Sequence, residues 1–239
     1  TYGVPFFDQT AGIQGLGNDV VVHELFYSFP VGDNVEIVFG PRINWYRYFD
    51  YNAFTFILTG ANSFNSNGGT LVNAIDRGSG AIVVWKPSKQ FQFAAGYMGE
   101  NTEFLSSTIA PGFNTSSDPE FGLFGGTYTA TAEATYSPSE NFNLRLLYNR
   151  TRIQAIGGVI GGATGEPIYG IADNGSSAVF DPVTGLVADG GLDAGLADTF
   201  GVNFDWLVTR GIGLFGRYTY AKTNLVPGDG EIEAQAVQA

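Results

Sequence analysis

The sequence predicts an all-β chain, an antiparallel up-and-down transmembrane β-barrel with about eight strands in these residues. Three observations carry that reading. An aromatic residue is followed six positions later by an apolar one four times: Phe29/Val35, Trp85/Phe91, Tyr136/Phe142 and Trp206/Ile212. Each pair brackets a turn sequence, "PVGDN", "KPSKQ", "SPSEN" or "LVTRG", whose Pro, Gly, Ser, Asp and Asn have the backbone preferences that reverse a chain. Short turns near 30–34, 86–90, 137–141 and 207–211 then alternate with longer connections over 50–79, 101–121 and 156–198. Strict short–long alternation is the pattern of a barrel inserted from one side.

The strands themselves divide into two faces. Six is an even spacing, so both members of each pair lie on the same side of the hairpin. Extending the alternation places Phe91, Phe93, Ala95 and Tyr97 on one face, with Gln92, Ala94, Gly96 and Met98 opposite. Phe142, Leu144, Leu146 and Tyr148 likewise oppose Asn143, Arg145, Leu147 and Asn149. Tyr128 to Tyr136 oppose a run of Thr with Glu133, and Phe200, Val202, Phe204 and Trp206 oppose Asn203 and Asp205. In the first hairpin Val35, Ile37, Phe39, Ile43 and Trp45 fall on the apolar face, with Glu36, Val38, Arg42 and Asn44 opposite. The apolar face has aromatics toward both ends, as in the girdles of an outer-membrane barrel. Phe29, Trp85, Tyr97, Tyr136, Tyr148, Trp206 and Tyr218 are the expected girdle residues. Phe91 to Tyr97 spans about 20 Å of strand at ~3.3 Å per residue, against an apolar band ~25 Å tall. A soluble β-sandwich binding module alternates too, and so does a small closed barrel with a structural or adhesive role.

Composition narrows the function classes. The 239 residues suit one β domain. Eleven Lys and Arg face 23 Asp and Glu, a net charge of −12 without a basic cluster, which argues against nucleic acid as a partner. Aromatics make up 15% and charged residues only 14%, with 34 glycines, as suits many strands and tight turns. There is no Cys, so disulfides and thiolate sites are absent. No apolar run reaches the roughly 18–20 residues of a membrane helix, so a membrane location requires a closed sheet. The start at Thr1 and the polar tail "GDGEIEAQAVQA", which does not read as a finished strand, lead to the expectation of a barrel domain over 1–239 that is incomplete at both ends.

Catalytic constellations are missing. "GVIGGATGEP" is Gly-rich but has no GK[ST], so the phosphate-loop reading fails. His23 is the only histidine, which leaves a triad or zinc site without partners. Glu24, Glu36, Glu133 and Asp205 share the polar face, yet no spacing singles out a glycosidase pair. The long acidic loop 156–198 holds Glu166, Asp173, Asp181, Asp189, Asp193 and Asp198, which reads as a solvated or lumen-folded loop without EF-hand spacing. Sequons at Asn114, Asn149 and Asn174 are short enough to arise by chance. The expectation is a protein that is not an enzyme and uses no cofactor or metal.

The run from "NDVVVHELFYSFPVGDNVEIVFG" through "GSGAIVVWKPSKQFQFAAGYMG" and "ATYSPSENFNLRLLYNRTR" to "TFGVNFDWLVTRGIGLFGRYTYAKT" resembles the cyanobacterial outer-membrane porins, SLH-domain proteins of the OprB-like carbohydrate-selective superfamily, some described as iron-uptake porins. The likeness covers about residues 18–224 and rests on the order and wording of successive hairpins. It implies an outer-membrane location, a barrel of about 16–18 strands, a homotrimer, and a peptidoglycan-binding SLH domain that these residues do not include. The function it implies is passive diffusion of small hydrophilic solutes or inorganic ions, iron and sugars among them. The residues expected to line the pore are then Glu24, Glu36, Arg42, Gln92, Glu133, Asn143, Arg145, Asp205 and Arg217.

Overall fold

Four hairpins form where the turn sequences fall. The computed structural model describes residues 24–55, 75, 77–100, 122–156, 159–160, 193–228 and 230–239. β1 (Leu25–Val31) and β2 (Val35–Asn44) form the first hairpin, and β3 (Arg77–Trp85) and β4 (Phe91–Glu100) the second. β5 (Tyr128–Ser139) and β6 (Phe142–Ile156) form the third, followed by a two-residue strand β7 (Val159–Ile160). β8 (Ala194–Thr209) and β9 (Ile212–Val226) form the fourth, and β10 (Glu231–Gln238) follows. The longest strands reach 15 and 16 residues, because turns at 140–141 and 210–211 take only two residues each.

All pairings are antiparallel, and the main strands lie in chain order, β1-β2-β3-β4-β5-β6-β8-β9-β10, with β7 pairing only β6. β1 and β10 are the two edges, and no ladder joins them among the described residues, so the sheet is open. The polar tail is therefore a ninth strand: Glu231–Gln238 pairs residue by residue with β9, Glu231 opposite Asn224 and Gln238 opposite Arg217. Sequence reasoning missed it because Glu and Gln alternate with Ile and Ala there. Ile232, Ala234 and Ala236 are half-buried and Glu231, Glu233 and Gln235 exposed, the reverse of the other strands, until Val237 outward and Gln238 inward restore their pattern. The acidic connection is also shorter than expected. Val159–Ile160 pairs with β6, and residues 194–198 already belong to β8, whereas Glu166, Asp173, Asp181 and Asp189 lie outside the described residues.

The two faces separate as the alternation requires. Trp85, Phe91, Phe93, Tyr136, Leu146, Tyr148, Phe200, Trp206, Ile212, Leu214 and Tyr218 are exposed on one face. Phe29 and Tyr97 on that face are half-buried against aromatic neighbours, Phe29 beside Tyr27 and Tyr97 beside Phe124 and Tyr128. The other face of β5, β6, β8 and β9 is buried and polar: Thr129, Thr131, Glu133, Arg145, Asn149, Thr199, Asn203, Asp205, Arg217 and Thr219. Asn149 of the second sequon is among them, while Asn114 and Asn174 lie outside the described residues.

On β2 to β4 the inner face differs from the expected polar lining. Val38, Ile82, Val84, Ala94 and Met98 are buried there in an apolar cluster that also takes in Ile43, Trp45, Phe49 and Ile75. Ile43 and Trp45 thus occupy the opposite face from the one the alternation assigns. The cause is a bulge: Gly40 pairs with Gly80, but Ile43 pairs with Gly78, a slip of one residue that turns every later side chain over. Gly40 makes room for it, since a Cβ there would lie 2.5 Å from the Cα of Phe26. Arg42, inside the bulge, is buried as well.

Trp45 is fully buried and its indole N–H donates to Thr131 Oγ1 at 2.9 Å. Trp45→Ala is expected to cost about 3–5 kcal/mol in equilibrium urea unfolding, as for other buried aromatics. A loss below about 1 kcal/mol would mean that the side chain is not in the core.

Candidate functional site

Past the bulge the chain does not rise away from the sheet but folds back over its inner face. A 3₁₀ turn over Trp45–Arg47 begins it, with the Asn44 side chain accepting from Tyr46 N at 3.1 Å and Trp45 O accepting from Tyr48 N and Phe49 N. Asp50 then takes a positive φ of 50°, a conformation Asp tolerates better than most residues. Asn52 closes a further local turn by accepting from Phe54 N at 3.0 Å. Polar residues with short side chains therefore supply the bends within this stretch.

The segment is fastened across four strands. Asp50 N donates to Glu133 Oε2 on β5 at 2.6 Å. Asn203 Nδ2 on β8 donates to Asp50 Oδ1 at 2.7 Å, and Asn52 Nδ2 donates to Asn203 Oδ1 at 2.7 Å and to Phe204 O at 3.0 Å. On β9 the Arg217 guanidinium meets the Asp50 carboxylate at 3.1 Å and its backbone oxygen at 3.0 Å. Arg217 also donates to Thr55 Oγ1 and to Gln238 Oε1 of β10. Phe54 lies on Gly213, where a Cβ would come within 2.2 Å of the ring, and its centroid is 6.5 Å from that of Phe215. One residue, Asp50, touches β5, β8 and β9 together, strands that span about 14 Å in a flat sheet. The face is therefore concave, and the segment lies within it.

A cavity of about 510 Å³ remains beside the segment at the short-turn end. Arg47, Tyr48 and Tyr51 form one wall, Lys86, Ser88 and Lys89 of the β3–β4 turn another, and Glu36, Gln92, Asn143 and Arg145 the sheet side. Arg145 is fixed by Asp205 Oδ1 at 2.6 Å and sits 5.5 Å from the centre of the Tyr51 ring, a cation–π contact. Asn143 donates to the second oxygen of Asp205 at 2.6 Å and accepts from Ser137. Partial burial, and then the Glu36 carboxylate, push the Tyr48 hydroxyl above its ordinary value, so it stays a donor. Lys86 and Lys89 are exposed at the rim, and their ammonium groups form no ion pair with a described residue. The arrangement can hold water and small polar solutes against charges of both signs. Among the described residues no cluster of His, Cys, Asp and Glu could hold a metal ion.

The nine residues expected to line a pore separate into three groups. Glu36, Gln92, Glu133, Asn143 and Arg145 all line this cavity. Asp205 and Arg217 are buried behind it, engaged in ion pairs with Arg145 and Asp50. Glu24 is drawn off to Asn44 at 3.1 Å and Arg47 at 2.7 Å, and Arg42 is buried in the bulge. Asp50, Tyr51 and Asn52 were not singled out by sequence, and Asn203 was placed on the polar face but not among the pore-lining residues. The available signal was "NWYRYFDYNAF", six aromatics with Asp and two Asn at the end of a strand, too apolar for a solvated loop.

Removing one member of a buried ion pair strands the other, at about 3–5 kcal/mol. Arg217→Met is accordingly expected to loosen the segment and speed tryptic cleavage after Arg47, half-exposed on that segment, by about tenfold or more, since ~1.4 kcal/mol is tenfold in an opening equilibrium. Cleavage at the wild-type rate would show that Arg217 does not hold it. No family model and no curated protein matches this chain.

Proposed function

We propose that the chain is the greater part of a wall segment of an outer-membrane pore, a passive conduit for small hydrophilic solutes or ions. The observation that carries this reading is inverted burial. Among the described residues 18 polar or charged side chains are buried against 14 hydrophobic ones, while Leu146, Phe200 and Ile212 are each more than half exposed on the convex face. Water disfavours such a surface by about 25 cal/mol per Å² of apolar area, and hydrocarbon does not. A soluble sandwich would instead gather those aromatics into a core.

The open edges at β1 and β10 favour a larger barrel, of about 16–18 strands, in which a concave polar face borders water. The inward segment then narrows the lumen and the cavity beside it is the open path. Conduction is diffusion through this polar space, with no chemical step. Selectivity rests on the unpaired rim charges, Lys86 and Lys89, rather than on Arg145 and Arg217, whose charges are neutralised by Asp205 and Asp50. The hairpin resemblance supports the same reading, including trimers and attachment to peptidoglycan through a separate SLH domain.

The test is conductance in planar bilayers. Discrete, long-lived open steps are expected. Lys86→Glu with Lys89→Glu should shift the reversal potential under a salt gradient toward cation preference, by more than Arg145→Gln does. Stable insertion without conductance would favour a structural barrel closed by its own inward segment, and failure to insert would reject the membrane reading.

A further inference from the structure

The convex face is not uniformly covered by large side chains. Along β5 its outward residues are Ala130, Ala132 and Ala134; cross-strand pairing sets Ala130 and Ala134 between larger neighbours, and Ala132 beside a further alanine on β4. Ala134 lies between Phe93 of β4 and Leu146 of β6, Ala132 between Ala95 and Tyr148, and Ala130 between Tyr97 and Arg150. The result is a trough of about 570 Å³, walled by Trp85 and Phe93 on one side and by Leu146, Tyr148 and Phe200 on the other. Beside Ala134 two strand spacings separate Phe93 from Leu146, about 9.6 Å between backbones, and beside Ala132 the trough widens over Ala95 to Val83 of β3. The trough lies over Ala134 and Ala132, and the alanine row continues past it through Ala130 to Tyr128, about 20 Å of strand in all against the ~15 Å of one leaflet's hydrocarbon.

At the loop end the trough meets charge. Arg150 pairs with Asp198, Asp198 also accepts from the Tyr148 hydroxyl at 2.7 Å, and both charged side chains are about one-third exposed. The register continues this alternation outward: Asp198 lies opposite Lys222, and Lys222 opposite Glu233, with Lys222 bonded to Glu231 at 2.7 Å. Cation and anion therefore alternate over four strands directly beyond the aromatic residues.

We propose that this trough is a binding site for one zwitterionic phospholipid, its acyl chain over Ala134, Ala132 and Ala130, its phosphate on Arg150 and its ammonium on Asp198. Charge complementarity selects this occupant: an adjacent plus and minus match a headgroup that carries both, whereas a purely anionic headgroup would meet the Asp198 carboxylate. The inference rests on the membrane reading.

The experiment reconstitutes the full chain in vesicles of equal phosphatidylethanolamine and phosphatidylglycerol, separates inserted protein by flotation, extracts it into mild detergent and counts retained lipid by native mass spectrometry. One phosphatidylethanolamine per chain is expected. Ala132→Trp should lower its retention by about tenfold, whereas Leu214→Trp, equally bulky on the convex face of β9, should not. Ala134→Phe, one step along the trough, repeats the test should Ala132→Trp fail to insert. Arg150→Gln should remove the preference over phosphatidylglycerol. Equal retention in Ala132→Trp and Leu214→Trp, preference for phosphatidylglycerol in the wild type, or a dimer mass sensitive to Ala132→Trp in place of lipid would each overturn the site while leaving insertion intact. Absence of flotation would overturn the membrane reading itself.

Discussion

The one-residue slip between Gly40 and Ile43 governs the inner architecture. Because side chains alternate with a period of two, a single extra residue moves Ile43 and Trp45 from the convex to the concave face. Trp45 then anchors on Thr131, and the chain that follows must run along the inner wall. Without the slip, Trp45 would lie on the outside and Asp50 could not reach Glu133, Asn203 and Arg217. A local irregularity in one strand thus decides what occupies the centre.

That centre is held by polar groups in numbers a soluble core avoids. Burying Asp50, Arg217, Arg145 and Asp205 costs several kcal/mol per ion, offset only where geometry is good and remaining donors and acceptors find partners. Here Arg217 has Asp50, Thr55 and Gln238, and Arg145 has Asp205 and the Tyr51 ring. Asn149 is shared by Thr129, Thr131 and Thr151. Such a network specifies position more than it adds stability, because each member fits only one arrangement. The convex face shows the complementary economy, apolar and laterally packed, with rings such as Phe91 and Tyr136 stacked 4.9 Å apart across strands.

The four hairpins and both faces of β5, β6, β8 and β9 were legible because turn residues and period-two alternation are local signals. Glu133, Arg145, Asp205 and Arg217 could be placed on the inner face on that basis alone. What those residues touch was not legible, since Asp50 lies 83 positions from Glu133 and 167 from Arg217. The bulge escaped notice because "FGPRINW" keeps an apolar alternation through the slip, and nothing local distinguishes Ile43 outward from Ile43 inward. β10 escaped because its inward apolar residues, Ile232, Ala234 and Ala236, are few and its outward positions carry Glu and Gln up to Val237.

The reach of Arg217 also orders assembly in time. It joins residues 162 and 167 positions back along the chain, Thr55 and Asp50, to Gln238 a short way ahead. Contacts of such separation close late, because the entropy of the intervening loop must be overcome before they contribute. The inward segment is made early in the chain but has no seat until β8 and β9 are paired. Until then its aromatics, Tyr46, Tyr48, Phe49 and Phe54, are exposed to any other apolar surface. The hairpin furthest along the chain is the one that seats the segment after β2.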